Sequence, residues 1–230
     1  MKLLRKVSTN FEQKGHRALL AALLLMILFS PFVQQYSWFG LLLAVFMMLV
    51  LLAAVRTVAN EVRQYRIAVV LGVLALVPQF GVLVERNEWL EVLRFAAMTL
   101  FLFWVCGLLL RDIIVRSKSV SLELILGAVN IYLMVGIGFA FAYGLIEHLQ
   151  PGSFTGLEQQ MNASIEVLPF LYFSFVTLTT LGYGDITPLT PFGTTASYIE
   201  AMFGQLYLAI MVARLVGLYI VKHTEAREDG

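Results

Sequence analysis

Long apolar runs separated by short polar segments make up most of this chain. A helix that crosses a bilayer needs about 20 predominantly apolar residues, and six runs reach or approach that length. These runs are residues 17–36, 38–55, 66–84, 93–115, 120–146 and 192–222. Prolines near or inside two of them are tolerated in membranes. The pattern predicts an all-α membrane protein with six transmembrane helices.

Composition supports the membrane class. Hydrophobic residues make up 60% of the 230 residues and charged residues only 13%, whereas a soluble domain is about half apolar and about a quarter charged. One cysteine, Cys106, excludes an intrachain disulfide and a CxxC metal site. The three histidines share no ligand spacing, so we expect no metal site and no cofactor.

The basic residues indicate the orientation of the chain. If the N-terminus is cytoplasmic and six spans alternate, all of the 16 Lys and Arg residues except Arg86 and Arg94 fall on the inner side. Inner loops of membrane proteins carry such an excess of positive charge. We therefore expect a multi-pass protein of the plasma membrane with both termini in the cytoplasm. The compact loops favour a bacterial inner membrane.

A polar stretch between the fifth and sixth spans, SFVTLTTLGYGDITP at residues 174–188, interrupts the apolar pattern. The apolar run before it is too short to span, and Pro169 suits the first turn of a helix. The run predicts a re-entrant half-helix that enters from the outer face. Non-helical backbone at that depth must be buried in protein or line a wet cavity, and Gly182 and Gly184 can adopt the positive φ that such backbone needs.

The string TLTTLGYGDITP resembles the selectivity filter of tetrameric potassium channels, in which Thr-x-Gly-Tyr-Gly-Asp follows a short pore helix. The resemblance covers roughly residues 120–222. It implies that backbone carbonyls and a threonine hydroxyl replace the hydration shell of K⁺. The implied K⁺ ligands are Thr180, Leu181, Gly182, Tyr183 and Gly184, and the implied filter support and outer mouth are Asp185, Tyr172, Phe173 and Thr179. Two features depart from the family: Leu181 replaces a frequent Val or Ile, and Tyr172 and Phe173 stand where many relatives have tryptophan.

The sixth span carries a second match, Gly204, at the position where the family has a gating hinge. Glycine permits bending, and small residues also allow close packing of membrane helices, so both roles remain open. At about 100° per residue, Leu208, Met211 and Leu215 fall near the face of Gly204 and are candidates for the cavity wall. Arg214 falls about 80° from that face, where we expect headgroups or a neighbouring subunit.

The resemblance implies a homotetramer, because one filter segment cannot surround an ion. It divides the chain into a four-span membrane domain, a pore domain and a short cytoplasmic tail, at residues 1–118, 119–222 and 223–230. The expected function is passive, K⁺-selective conduction rather than enzymatic catalysis. Identical subunits and membrane lipid are the expected partners, with no nucleic acid, and gating is left to lipid, loops, spans or a separate regulatory protein.

The fourth span argues against a voltage sensor. A sensor helix carries about 3–4 regularly spaced arginines, and this span has only Arg94 and Arg111, at opposite ends. We therefore expect little or no intrinsic voltage dependence. Three other readings remain: a non-conducting or modulatory membrane subunit, a subunit of a potassium uptake transporter, and a weakly selective cation channel.

Overall fold

A computed structural model describes most of the chain and consists mainly of helices. The residues described are 15–30, 45, 47–50, 52–54, 62–84, 87–116, 120–157 and 167–228. The helices are α1 (Gly15–Ser30), α2 (Val62–Val84), α3 (Glu88–Arg116), α4 (Leu122–Leu149), α5 (Val167–Leu178) and α6 (Pro191–Glu228). Residues 47–50 and 52–54, between α1 and α2, are also helical.

Within the described residues, three helices are long and apolar enough to cross a membrane: Glu88–Val115, Leu122–Leu149 and Pro191–Ile220. They coincide with the fourth, fifth and sixth predicted spans and confirm those three. Helix α2 contains a shorter apolar stretch, Arg66–Val82. Parts of the first and second predicted spans lie outside the described residues, so the count of six remains a prediction.

Local sequence signals set the ends of α4 and α6. Helix α4 begins after Ser121, whose hydroxyl accepts a hydrogen bond from the Leu124 amide at 3.2 Å, as an N-cap residue does. Helix α6 begins with Pro191 in its first turn, where a missing N–H costs nothing. The Thr190 hydroxyl before it accepts from the Gly193 amide at 3.4 Å.

Two short strands pair the segment after α4 with the segment before α6. Strand β1 (Phe154–Thr155) pairs antiparallel with β2 (Thr187–Pro188). The Leu189 amide adds a bond to the Ser153 carbonyl at 2.7 Å. The loop that follows α4 is thereby joined to the segment that leads into α6, and residues 179–186 are held between α5 and β2.

An aromatic cluster fills the space between α4, α5 and β1. The Phe173 ring lies 4.9 Å from the Tyr143 ring and 5.5 Å from the Phe154 ring, measured between centroids. Phe154 also contacts Phe170, at 5.5 Å. All four side chains are buried. The cluster fixes the short helix α5 against the long helix α4.

Candidate functional site

The chain folds over the C-terminal end of α5 as it enters the TLGYGD segment. The Thr180 amide donates to the Thr177 carbonyl at 2.9 Å, and the Leu181 and Gly182 amides both donate to the Val176 carbonyl, at 2.9 and 3.3 Å. These bonds occupy carbonyls that a helix end otherwise leaves unpaired. Hydrogen bonds to the last turn of α5 therefore fix the backbone at the start of the segment.

Backbone conformation alternates along this segment. Thr180, Gly182 and Gly184 have φ values of 57°, 57° and 78°, while Leu181 and Tyr183 between them are not in the left-handed region. Thr180 is the only non-glycine residue with positive φ in the described part of the chain. Such backbone costs energy and is concentrated at functional sites. The alternation is what a run of carbonyls directed to one side requires.

One side of this segment is open in the single chain. The Leu181 and Tyr183 side chains are 55% and 66% exposed. A Cβ atom added at Gly182 or Gly184 would meet nothing within 4 Å. One chain therefore supplies only one wall of any ion pathway here.

Asp185 and Tyr172, both predicted to form the support and outer mouth, are brought together. The Tyr172 hydroxyl donates to Asp185 Oδ2 at 2.7 Å, and the Ile186 amide donates to Oδ1 at 3.0 Å. The hydrogen bond from Tyr172 holds the pKa of the Asp185 carboxyl below its ordinary value. Asp185 thus remains an ionised acceptor at the C-terminal end of the segment.

Phe173 and Thr179 contribute in other ways. Phe173 lies in the buried aromatic cluster and faces the protomer core rather than the segment itself. The Thr179 hydroxyl donates to the Phe175 carbonyl at 2.6 Å. Phe173 therefore acts on the segment only through α5, and Thr179 completes the end of that helix.

Gly204 lies where α6 crosses the end of α5. A Cβ atom at this position would collide with the Leu178 carbonyl oxygen, so the close approach itself requires glycine. Met211, on the same face, is only 5% exposed, and Leu215 packs against the core. Both side chains contact the rest of the same chain, and their assignment to a cavity wall remains a prediction. Leu208, 45% exposed, lies at the edge of that face.

Gln205 and Arg214 make contacts that helical projection did not predict. The Gln205 amide donates to the Thr180 hydroxyl at 3.1 Å and reaches the N-terminal end of the segment. Arg214 donates to the Ile113 and Ile114 carbonyls at 2.7 and 2.9 Å, in the last turn of α3. Arg214 thus binds a helix of its own chain, not only headgroups or a neighbouring subunit as expected.

A buried carboxyl group, Glu200, is the main residue that sequence reasoning missed. Its Oε2 atom lies 2.5 Å from the Tyr143 hydroxyl on α4, and its Oε1 atom lies 2.5 Å from the Ser174 hydroxyl on α5. Ser174 also lies 2.6 Å from the Gly136 carbonyl. An acidic residue inside an apolar span was the available signal, since such residues are expensive in a membrane.

Part of this chain is similar in sequence to known proteins. Residues 128–220 match the family model described as an ion channel. Among curated proteins, the inward rectifier potassium channel Kirbac3.1 of Paramagnetospirillum magnetotacticum is 34% identical over 103 residues, which cover 43% of this chain and 30% of that protein. The potassium voltage-gated channel protein shk-1 of Caenorhabditis elegans is 35% identical over 79 residues, 34% of this chain and 14% of that protein.

A third relative, two-pore potassium channel 5 of Arabidopsis thaliana, is 42% identical over 50 residues, 22% of this chain and 12% of that protein. The chain matches less than a third of the length of each of these relatives. No solved structure matches it significantly. The matched region contains α5, the TLGYGD segment and most of α4 and α6. Residues 128–220 are thus similar to an ion channel family, and the relatives that match are potassium channels.

Proposed function

We propose that this chain is the subunit of a homotetrameric channel that conducts K⁺ selectively and passively. The observation that carries the proposal is the alternation of positive φ at Thr180, Gly182 and Gly184 in an exposed segment at the end of a short helix. Backbone carbonyls in such an array can replace the water around an ion. The ligands would be the carbonyls of residues 180–184 with the Thr180 hydroxyl. The relatives reported above are potassium channels, which supports K⁺ as the ion.

A ring of four subunits would complete the pathway. The segment is open on one side in the single chain, and a closed cyclic assembly would place four such walls around one axis. Asp185, kept ionised by Tyr172, would then form an acidic ring at the outer mouth and concentrate cations there. We propose the plasma membrane of a bacterium as the location, with lipid as the other partner and both termini in the cytoplasm.

The proposed conduction has little or no intrinsic voltage dependence. Of the three arginines in α3, Arg94 is held in place by an ion pair with Glu91 at 2.5 Å, one turn away. Its guanidinium also lies 4.5 Å from the centroid of the Phe95 ring. These contacts anchor Arg94 within its own helix, and a sensor needs about 3–4 movable charges per subunit. A steep conductance–voltage relation would contradict this part of the proposal.

Purified protein in a planar bilayer tests the proposal, with K⁺ on one side and an equal concentration of Na⁺ on the other. A selective channel gives a reversal potential far from zero, and a reversal potential near zero rejects K⁺ selectivity. No current at any voltage, pH or lipid composition would instead favour a non-conducting membrane subunit.

The Gly182→Ala variant tests the assignment of the filter. The backbone there has φ of +57°, which costs an L-residue about 1–2 kcal/mol, so we expect loss of K⁺ selectivity with assembly retained. Gly107→Ala is the matched control, because a Cβ atom there also meets nothing within 4 Å and its φ is ordinary. Unchanged selectivity in Gly182→Ala would overturn the assignment.

A further inference from the structure

The Glu200 carboxyl connects three helices behind the TLGYGD segment. Glu200 lies on α6 and is 0% exposed, and so is Ser174 on α5. The two carboxyl oxygens of Glu200 contact the hydroxyls of Tyr143 and Ser174, each at 2.5 Å. The Ser174 hydroxyl is in turn 2.6 Å from the Gly136 carbonyl of α4. Three short oxygen–oxygen contacts therefore form one continuous chain.

Each of these three contacts needs one proton, because two unprotonated oxygens at such distances repel each other. The two hydroxyls supply one proton each, and the Gly136 carbonyl can only accept. The third proton must come from Glu200. An ionised Glu200 would accept from both hydroxyls and leave the contact between Ser174 and Gly136 without a proton. A protonated Glu200 satisfies all three: it donates to Ser174, Ser174 donates to Gly136, and Tyr143 donates to Glu200.

We propose that Glu200 is a proton-binding site, and that the bound proton fastens the short helix α5 to α4 and α6.

The surroundings of Glu200 favour the neutral acid. The groups that face it are the Tyr143 hydroxyl and, farther away, the Tyr132 hydroxyl on α4, and the Ser174 hydroxyl on α5. On its own helix, the nearby Ser197 hydroxyl donates to the Gly193 carbonyl at 2.8 Å. In the described part of the chain, no Lys or Arg forms an ion pair with Glu200. A buried carboxylate without a cation is strongly disfavoured and takes up a proton instead.

The position of the site links the proton to the ion pathway. Ser174 lies six residues before Thr180 on the helix that carries the segment. Removal of the proton would break one of the three contacts and place a negative charge beside α5. If the assembly is tetrameric as proposed above, four such charges would appear together around the pathway. We therefore expect alkaline conditions to loosen α5 and to lower stability and conduction together.

Infrared spectroscopy can detect the proton directly. A protonated carboxyl group gives a C=O stretching band separate from that of carboxylates. We expect such a band in the wild-type protein at neutral pH, its loss at alkaline pH and its loss in Glu200→Gln. Ser174→Ala removes one hydrogen-bond partner, so it should shift the band without removing it; the assignment then has support from two variants.

The pH profile of unfolding provides a second readout. In Glu200→Gln the amide can donate to Ser174 and accept from Tyr143 at every pH. The stability of this variant should therefore not decline at alkaline pH as that of the wild type does. Tyr207→Phe is the matched control, because it removes another buried hydroxyl between α6 and α4, bonded to the Ala128 carbonyl at 2.7 Å. Tyr207→Phe should lower the free energy of unfolding by the same amount at neutral and alkaline pH. Its stability should still decline at alkaline pH, as that of the wild type does.

Two results would overturn the proton site: a neutral-pH spectrum with no band that responds to Glu200→Gln or Ser174→Ala, or an unchanged alkaline decline in Glu200→Gln. Neither measurement requires ion flow. Failure of K⁺ selectivity in the bilayer experiment would therefore leave this inference standing, and failure of this inference would leave the filter assignment standing.

Discussion

Helix α4 and the apolar part of α6 are alike in length and apolar character, yet the chain buries them very differently. Both qualify as membrane spans, with 28 residues in α4 and 30 residues in the apolar part of α6. In the most apolar stretch of each, 72% of residues are buried in α4 but only 17% in α6. Helix α4 is thus a core element of one chain, and α6 presents most of its surface outward.

Over residues 191–220, most of the exposed surface of α6 is apolar. Its large exposed side chains include Ile199, Met202, Leu206, Ile210, Val212, Val216 and Ile220. The helix is held to its own chain at a few close points: Gly204 against Leu178, Tyr207 at Ala128 and Arg214 at the end of α3. This contrast indicates that packing within the chain is complete around α4, and that α6 retains a surface for other subunits or lipid.

The largest expected effect comes from a bulky residue on that surface. Leu206 is 60% exposed and points away from the face of Gly204. In a tetramer, Leu206→Trp would overpack each of four equivalent contacts, at a cost of about 1–3 kcal/mol each. We expect dissociation of the tetramer, measured by size-exclusion chromatography with light scattering in detergent.

Leu100→Trp is the control for this effect. Leu100 on α3 is 62% exposed, and we expect lipid rather than protein at its side chain, so the larger ring should be accommodated. Intact tetramers in both variants would show that α6 is a lipid-facing helix. Its low burial would then not indicate a subunit interface.

A smaller effect is expected where α6 touches its own chain. The added methyl group of Gly204→Ala would collide with the Leu178 backbone, and such overpacking typically costs about 1–3 kcal/mol. We expect a lower melting temperature and reduced conduction, because Leu178 is the last residue of α5.

Gly217→Ala on the same helix provides the reference, since its Cβ atom would meet nothing within 4 Å. A helical Gly→Ala change without a clash is neutral or stabilising. Equal effects of the two variants would mean that α6 can shift freely along α5, and that Gly204 acts as a point of bending rather than of contact.

The smallest effect is expected at Arg214. One guanidinium nitrogen, Nη2, donates to two carbonyls at the end of α3, and a lysine ammonium differs from it as a compact, strongly hydrated charge. Arg214→Lys should cost about 1 kcal/mol or less, with one of the two bonds retained. Open probability in single-channel records is the sensitive measurement, because this contact connects α6 to the first part of the chain. Arg111→Lys is the control, and equal open probabilities in both variants would argue against this connection.

The sequence predicted those parts of the fold that depend on local signals. The fourth to sixth spans followed from apolar length, and the start of α5 near Pro169 from the preference of proline for the first turn. Gly182 and Gly184 were expected to take positive φ, as they do. Thr180, which shares that conformation, could not be singled out, because a β-branched residue disfavours it and only the surrounding contacts impose it.

The remaining features depend on contacts between distant segments. Helical periodicity grouped Gly204 with Met211, but it could not say whether that face meets a cavity or the protomer core. The role of Glu200 requires partners 26 and 57 residues away along the chain. Arg214 and Ile113 are separated by 101 residues. No local pattern contains such pairings, and the packing of three helices decides them.

The two-residue pairing of β1 with β2 has a mechanical consequence. It brings Gly156, with φ of +79°, so close to the Asp185 carbonyl that a side chain at this position would push against it. Backbone therefore meets backbone at the C-terminal end of the TLGYGD segment, with no flexible side chain between them to absorb a displacement. A force that moves the loop after α4 is transmitted directly to Asp185, so in the proposed channel a molecule bound to that loop would alter conduction from outside the proposed ion pathway.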